Sequence, residues 1–371
     1  MFVDFLSLRN FRNYKALELN FSTSGHIFLG GNAQGKTNLL EAIHYLCMAR
    51  SQRKASEEEL IREGAEQLYL NGMGLAAGNR RVSVEILFAR ENGRRLKIND
   101  AVHRSTSDLL GLFYVVNLSP EDVAVVMGAP RQRRRFLNSF ISQISISYWA
   151  SLLEYQKIIQ HRNIALRSRS GGRWRAADDD ELEAWAQQLV AVGARIIRKR
   201  GQVLKKLNPE VQRLHQKISD GSERITLTYK AAGDLDVNDD IEEQFKLALE
   251  RTREKELKFG MTLVGPHRDD VVVTVNGMDL RIFGSQGQHR TAAIALKLAA
   301  ARFLQQARGE QPILLLDDVF AELDQNRTRL VFDVLAEFGQ MFIATAKESD
   351  LAGCGESLGR MIIADGTVTL S

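Results

Sequence analysis

The sequence predicts an α/β fold, built on a strand, glycine loop and helix unit, that carries an inserted, mainly helical lobe without a long coiled coil. Three observations predict it. A short apolar run at residues 26–29 ends in Gly30, and after a glycine-bearing turn Leu39, Leu40, Ile43, Leu46 and Cys47 recur at helical spacing. Ile313, Leu314, Leu315 and Leu316 form an unbroken apolar strand closing on Asp317 and Asp318, as suits a central parallel strand. Residues from 120 to 215 hold long helical periodicity with few breakers.

The elements follow in order. Residues 2–8 and 17–21 alternate as an opening pair of strands. Residues 69–99 alternate again, broken by glycines and by the hairpin signal Asn92-Gly93, so a small antiparallel region is expected. The helical stretch is interrupted at Ser170, Gly171 and Gly172, ahead of an acidic run from Asp178 to Glu183. Two arms of about 40 residues result, each able to reach on the order of 60 Å if unbroken. A strand at 224–230, a helix at 238–259 and a hairpin over 271–283, turning at Asn276-Gly277, come next. Helix 288–307, strand 313–316, helix 325–338 and strand 341–344 complete the alternation. Residues 1–118 and 255–371 are therefore expected to form the α/β domain, with 119–254 as the inserted lobe.

With 371 residues, one large or two ordinary domains are expected. Apolar residues at 44% and charged residues at 26% exclude a disordered, collagenous or rod-like chain. No run approaches the roughly 18 apolar residues of a membrane span, and the opening lacks a signal-peptide pattern, so a cytoplasmic protein without a membrane partner is expected. Cys47 and Cys354 read as free thiols. The net charge of +4 hides an asymmetry: residues 131–206 carry 16 Lys and Arg against 6 Asp and Glu, so the remainder has six more acids than bases. A lobe facing a polyanion, on an otherwise acidic body, explains that distribution.

Gly30-Gly31-Asn32-Ala33-Gln34-Gly35-Lys36-Thr37 matches the phosphate-binding pattern GxxxxGK[ST] between a strand and a helix. In this arrangement backbone N–H groups curl round phosphates, Lys36 adds charge, and the Thr37 hydroxyl is a ligand for Mg²⁺, so a nucleoside triphosphate with Mg²⁺ is the expected ligand. Asp317 would hold the metal with Thr37, and Asp318 would polarise the attacking water, since adjacent strand residues point to different places. Ser285-Gln286-Gly287-Gln288 opens an alanine-rich helix 32 residues before Asp317. It reads either as an ordinary cap or as a helix N-terminus that takes a phosphate, and its position favours the second.

This ordered set resembles the ABC-type ATPase head, a mixed sheet with a P-loop core, and within it the RecF family of bacterial DNA recombination and repair proteins. The residues that carry the resemblance run over nearly the whole chain: Leu8-Arg9-Asn10-Phe11-Arg12-Asn13-Tyr14, Gly35-Lys36-Thr37, Ser119-Pro120-Glu121-Asp122, Gly265-Pro266-His267-Arg268-Asp269-Asp270, Ser285-Gln286-Gly287-Gln288-His289-Arg290-Thr291, and residues 316–324 from Leu316 to Asp324. The resemblance implies ATP as that nucleotide, with Mg²⁺, and an ATP-dependent homodimer that clamps double-stranded DNA, including single-strand/double-strand junctions. It also implies action with RecO and RecR in loading RecA at gaps, with roles in replication maintenance and the SOS response. Lys36, Asp317, Asp318 and Ser285 would carry catalysis, Ser285 acting on the facing subunit's nucleotide.

Three departures stand out. The region from Asn117 to Asp122 lacks the Gln that links metal to the moving lobe in many ABC heads, Thr345 stands where a His often senses the γ-phosphate, and Ala321 stands where the family often has Ser. A threonine cannot shuttle a proton, which predicts slow hydrolysis with nucleotide acting chiefly as a switch; with the resemblance this gives a weak, DNA-stimulated ATPase as the expectation.

Arg131, Arg133, Arg134 and Arg135, then Arg162, Arg167, Arg169, Arg173 and Arg175, are the expected DNA phosphate contacts, the alternative being a solvated helix face. Arg50, Arg53 and Lys54 suit either DNA or an acidic partner. His267 fits a structural turn or a place near the partner's nucleotide, and Arg9, Asn10 and Phe11 fit either a nucleotide border or a plain loop. The rival readings are an ABC-type transport subunit and a non-hydrolysing structural DNA-binding module.

Overall fold

The computed structural model describes residues 1–53, 55–169, 177–219, 221, 223–321 and 323–370. The predicted Ser170–Gly172 break, Arg173, Arg175, Lys54 and Glu322 lie outside the described residues.

In chain order the elements are β1 (Phe2–Phe11), β2 (Tyr14–Asn20), β3 (Gly25–Leu29), α1 (Lys36–Met48), α2 (Glu57–Leu60), β4 (Gln67–Ala76), β5 (Arg80–Ala89), β6 (Gly93–Ile98), β7 (Ala101–His103) and β8 (Val115–Leu118). Then follow α3 (Val123–Met127), α4 (Pro130–Ile144), α5 (Ile146–Arg169), α6 (Ala177–Ile218), β9 (Ile225–Lys230), α7 (Ile241–Phe259), β10 (Asp270–Val275), β11 (Met278–Asp279) and α8 (Leu280–Phe283). The chain closes with α9 (Gln286–Arg308), β12 (Ile313–Asp317), α10 (Gln325–Leu335), β13 (Met341–Thr345), β14 (Gly359–Ala364) and β15 (Thr367–Leu370).

Two compact units result, one made of Met1–Asp122, Arg213–Ser222 and Ala293–Ser371, the other of Val123–Gln212 and Glu223–Ala292. The second extends past the expected boundary at 254, because β9 pairs antiparallel with β10 (Leu227 opposite Val273) and so draws the 270–279 segment into the same unit.

The first unit holds two six-stranded sheets. One, in the order β15-β14-β3-β13-β12-β8, is parallel except for β15. Every residue of β12 and of β13 is buried, which is why both read as unbroken apolar runs. The other, β2-β1-β4-β5-β6-β7, is antiparallel, and β4 alternates between buried and half-exposed residues as a sheet with one covered face does. Helix α1 contributes Leu39, Leu40, Ile43 and Leu46 to the same core as Leu70, Ile86, Leu315 and Phe342, so it packs on both sheets and its N-terminus is held on both sides.

Helix α6, whose residues up to Gln212 belong to the second unit, is 42 residues long, on the order of 60 Å. It buries Leu182, Leu189, Val192, Ile196, Val203, Leu207, Val211 and Leu214, at the three-, four- and seven-residue steps of one helical face. The expected first arm is divided: α4 ends before Ser145, whose backbone is extended and whose hydroxyl accepts from Tyr148 N at 3.2 Å, capping α5. Of the acidic run, Asp180, Glu181 and Glu183 lie in the opening turns of α6. The hairpin expected over 271–283 is shorter, since after β11 the chain turns into α8, capped by Asp279 accepting from Arg281 N at 2.9 Å.

Candidate functional site

Gly30 follows β3, and a Cβ there would lie 2.2 Å from Ile363 O, so only glycine lets the loop leave the sheet at this point. Gly35, at φ 116, is the N-cap of α1; a side chain there would be strained and would meet Asn13 and Tyr14. Because that cap supplies no side-chain acceptor and the first turn holds no acid, the leading N–H groups and the positive end of α1 stay open to an anion. The loop is braced from behind: Tyr14 Oη donates to Gly35 O (3.0 Å) and Asn13 Nδ2 to Gln34 O (3.1 Å). On its other side Asp365 N donates to Gln34 Oε1 (2.7 Å) and Gly366 N to Gln34 O (3.3 Å). Lys36 is buried and spans the loop, donating to Gly30 O (2.7 Å) and Gly31 O (2.9 Å). An ammonium has three donors, so one is left for a phosphate oxygen. Gly31, Asn32 and Ala33 face solvent.

Thr37 Oγ1 donates to Asp317 Oδ1 at 2.9 Å, joining the start of α1 to the end of β12 across 280 residues of sequence. Burial raises the Asp317 carboxyl to about 6; the neighbouring Asp318 pushes the same way, while the Thr37 hydroxyl, Arg53 and Lys36 oppose it. Asp318 takes a left-handed backbone, φ 48, which costs a non-glycine residue about 1–2 kcal/mol and turns its side chain away from the strand direction. Its N–H is held by Ala344 O (2.9 Å), but among the described residues its buried Oδ1 has no partner. A hydroxyl, a carboxylate reluctant to ionise alone and an orphaned carboxylate oxygen form a hard-oxygen donor set that fits Mg²⁺, an ion that takes few protein ligands and leaves positions for water and phosphate.

In the second unit Ser285 caps α9. Its Oγ accepts from Gln288 N (3.2 Å) while Gln288 Oε1 accepts from Ser285 N (2.9 Å), a reciprocal capping box, and Gln288 Nε2 reaches Glu223 (2.7 Å). This box leaves the N–H groups of Gln286 and Gly287 and the Ser285 hydroxyl proton available, and Ser285 and Gln286 are exposed. Met278, Ile282 and Phe283, just before them in sequence, are also exposed, at 57%, 63% and 66%.

Several expected site residues prove structural. Arg133 is buried and bidentate to Asp270, with Nε to Oδ1 at 2.6 Å and Nη2 to Oδ2 at 3.0 Å. Arg162 is buried, donating to Glu256 Oε2 (2.6 Å) and Thr262 Oγ1 (2.7 Å). Arg169 is buried too, donating to Ala165 O (2.8 Å) and Glu181 (3.2 Å). Their charge is spent inside the fold, so all three are withdrawn as DNA contacts. Arg134 is half-buried and donates to Asp269 O (2.6 Å), whereas Arg131, Arg135 and Arg167 are exposed.

Phe11 is core, packed near Tyr45, rather than a nucleotide border. Both His267 nitrogens are occupied, Nδ1 by the Tyr155 hydroxyl (2.9 Å) and Nε2 on Thr262 O (3.1 Å), and burial lowers its pKa to about 4, which makes it a neutral part of the turn. Thr345 is buried with Lys347 O and Asp350 Oδ2 at 3.2 and 3.1 Å, so its hydroxyl is engaged locally. Asp324 caps α10 by accepting from Arg327 N (2.9 Å). The sequence reading passed over the brace on the loop by Tyr14, Asn13, Asp365 and Gly366; Asp365-Gly366 is a legible turn signal, but its spatial neighbour is not.

A phosphate loop whose threonine reaches a carboxylate at the end of a parallel strand, with β13 lying between β3 and β12, defines a P-loop ATPase. A helical lobe inserted between loop and carboxylate narrows that class to heads of the ABC and SMC kind. The family model described as the RecF/RecN/SMC N terminal domain matches residues 2–369. The chain belongs to the RecF family. It is 36% identical, over 100% of both sequences, to the DNA replication and repair protein RecF of Streptococcus pneumoniae strains Taiwan19F-14 and JJA. Among solved structures it resembles the recombination mediator protein RecF-ATP in the RecFOR pathway, with TM-score 0.90, 35% identity and coverage of 100% of this chain and 97% of that one. The Smc head bound to the C-winged helix domain of ScpA shares the fold, at TM-score 0.58 and 15% identity, covering 100% and 98%.

Proposed function

We propose that this chain is an ATP-dependent DNA-binding protein of recombinational repair and replication maintenance. Two copies close on DNA when ATP is bound, slow hydrolysis resets them, and with RecO and RecR they promote RecA loading at gaps. The contact between Thr37 and Asp317 supports this reading, because a hydroxyl and a carboxylate suited to a metal ion meet beside the open end of α1.

Magnesium, when bound, supplies positive charge to the transferring phosphoryl group. Thr37 and Asp317 would hold it. Gly30 through Gly35 present backbone N–H groups to the phosphates, and Lys36 adds its remaining donor. Asp318, held off the strand direction by Ala344 O, orients and polarises the attacking water. Ser285, Gln286 and Gly287 offer a hydroxyl and helix N–H groups to the γ-phosphate of the facing copy, and exposed Ile282 and Phe283 give that encounter apolar area. Loss of the γ-phosphate removes the shared contact and with it the preference for the closed dimer. Thr345 has no imidazole to move a proton, in keeping with slow turnover. DNA phosphates are met by Arg131, Arg135 and Arg167, all exposed.

Lys36→Arg tests the reading. Duplex and gapped DNA binding is measured with and without ATP, alongside sedimentation. Wild-type chain is expected to dimerise and bind with ATP and the variant to lose at least about tenfold in affinity, since arginine cannot replace the compact ammonium inside the loop. A wild-type protein that stays monomeric with saturating ATP and Mg²⁺ would refute the scheme.

A further inference from the structure

The second unit contains a cavity of about 310 Å³ whose walls come from α5, α6 and α7. On α6 it is lined by Leu182, Ala186 and Val190, and by Glu183, Gln187 and Ala191, two adjacent rows at four-residue spacing. On the α7 side Glu242, Lys246, Leu249, Glu250 and Arg253 recur at the same helical steps, with Asp240 and Glu243 at the helix entrance. The shared span of 8 to 11 residues makes the groove roughly 12–16 Å long, enough for two to three turns of a helix.

Its chemistry is mixed in a particular way. The floor is apolar and small-residued, so a helix can approach closely. Five carboxylates line it, Glu183, Asp240, Glu242, Glu243 and Glu250, against Arg162, Lys246 and Arg253. Acids thus outnumber bases along the groove, and of these groups Glu242 is paired with Arg198 and Arg162 with Glu256. Arg162 is 2% exposed and lines the cavity, held by Glu256 and Thr262. The carboxylates on its rim repel phosphates, so the groove is poorly placed to meet a nucleic acid.

We propose that this groove docks a basic amphipathic peptide segment of a partner protein. Its apolar side chains seat on Ala186, Val190 and Leu249, and its lysines or arginines meet Glu183, Glu243 and Glu250. A helix in a groove read by apolar anchors and rim charges is a general recognition mode. The inference does not depend on the nucleotide reading.

Fluorescence anisotropy of the full chain with a labelled Leu/Lys amphipathic peptide of about 15 residues tests it. A second peptide carries Glu in place of every Lys. Saturable binding of the basic peptide alone is expected, weakened at least about tenfold both in Glu243→Lys/Glu250→Lys and in Ala186→Trp. The tryptophan fills the floor without altering charge, so it separates docking from attraction to any acidic surface. Glu243 and Glu250 are exposed, and the double variant keeps the test valid should Ala186→Trp misfold by circular dichroism. Arg162→Ala is unsuitable because it strands buried Glu256. The proposal fails if neither variant weakens binding, if both peptides bind equally, or if no saturable binding occurs below about 1 mM. Displacement of the peptide by equimolar spermidine would assign the groove to a small polycation and overturn the peptide reading.

Discussion

The two compact units treat charge in opposite ways. In the first, the functional groups are left incomplete: Asp318 Oδ1 is buried without a partner among the described residues, Asp317 is pushed to about 6, and the leading N–H groups of α1 have no capping side chain. In the second, buried charges are closed on one another. Arg133 meets Asp270 through both carboxylate oxygens, and Arg162 meets Glu256 and Thr262. Arg200 meets Pro266 O (2.7 Å), Asn138 (2.9 Å), the Tyr148 hydroxyl (3.0 Å) and, at 3.5 Å, Asp269, which also accepts from Tyr229 and from Ala232 N. Unfinished polar groups mark where a ligand belongs, while finished ones mark what holds a lobe together. The Gly265–Asp270 segment thus serves as a clasp of the helical unit.

The sharpest way to break the contrast is Glu256→Gln. It leaves the Arg162 guanidinium buried without its counter-ion and is expected to cost about 3–5 kcal/mol in denaturant unfolding. A loss below about 1 kcal/mol would mean that water already reaches the pair.

Asp317→Asn is next. A carboxyl raised in the folded state favours folding below its unfolded pKa, and that contribution is lost as pH rises through the folded value, so the nucleotide-free protein should lose stability between about pH 4 and 6. In the variant this segment of the pH profile should flatten, with a gain of up to about 3 kcal/mol at pH 7–8. Metal binding runs the other way, since it needs the carboxylate: Mg²⁺-dependent ATP affinity should rise through about pH 6 with proton release, measurable by calorimetry in two buffers. An unchanged profile in the variant would remove Asp317 as its source.

The mildest change to the fold comes from Arg131→Glu/Arg135→Glu. Both residues are exposed, so unfolding should shift by no more than about 0.5 kcal/mol. The salt dependence of DNA binding should become shallower by about 0.9 per lost phosphate contact. If stability falls instead, the tract is structural throughout, like Arg133.

Much of this was legible in sequence, and the illegible part has a definite cause. Ile313–Asp317 and Met341–Thr345 could be placed because strands buried on both faces cannot avoid reading as continuous apolar runs. The phosphate loop could be placed because its glycines, Lys36 and Thr37 lie within eight residues. Arg133, Arg162 and Arg169 read in sequence as DNA phosphate contacts or, alternatively, a solvated helix face, and are buried instead. For the first two, the acids that neutralise them, Asp270 and Glu256, lie 137 and 94 residues away, and no local pattern marks a guanidinium as paired. The division of the first arm at Ser145 was masked by isoleucines that continue the apolar rhythm on both sides. The four-residue α8 is too short for any periodicity to announce it.

Strand β3, which carries the phosphate loop, has β13 and β14 as its neighbours, and both come from beyond residue 340. A ribosome adding about 5–20 residues per second needs some 15–60 s to travel from one to the other. Throughout that interval the loop-bearing strand must wait, its future neighbours untranslated, so competence to hold nucleotide cannot precede translation of the residues beyond 340.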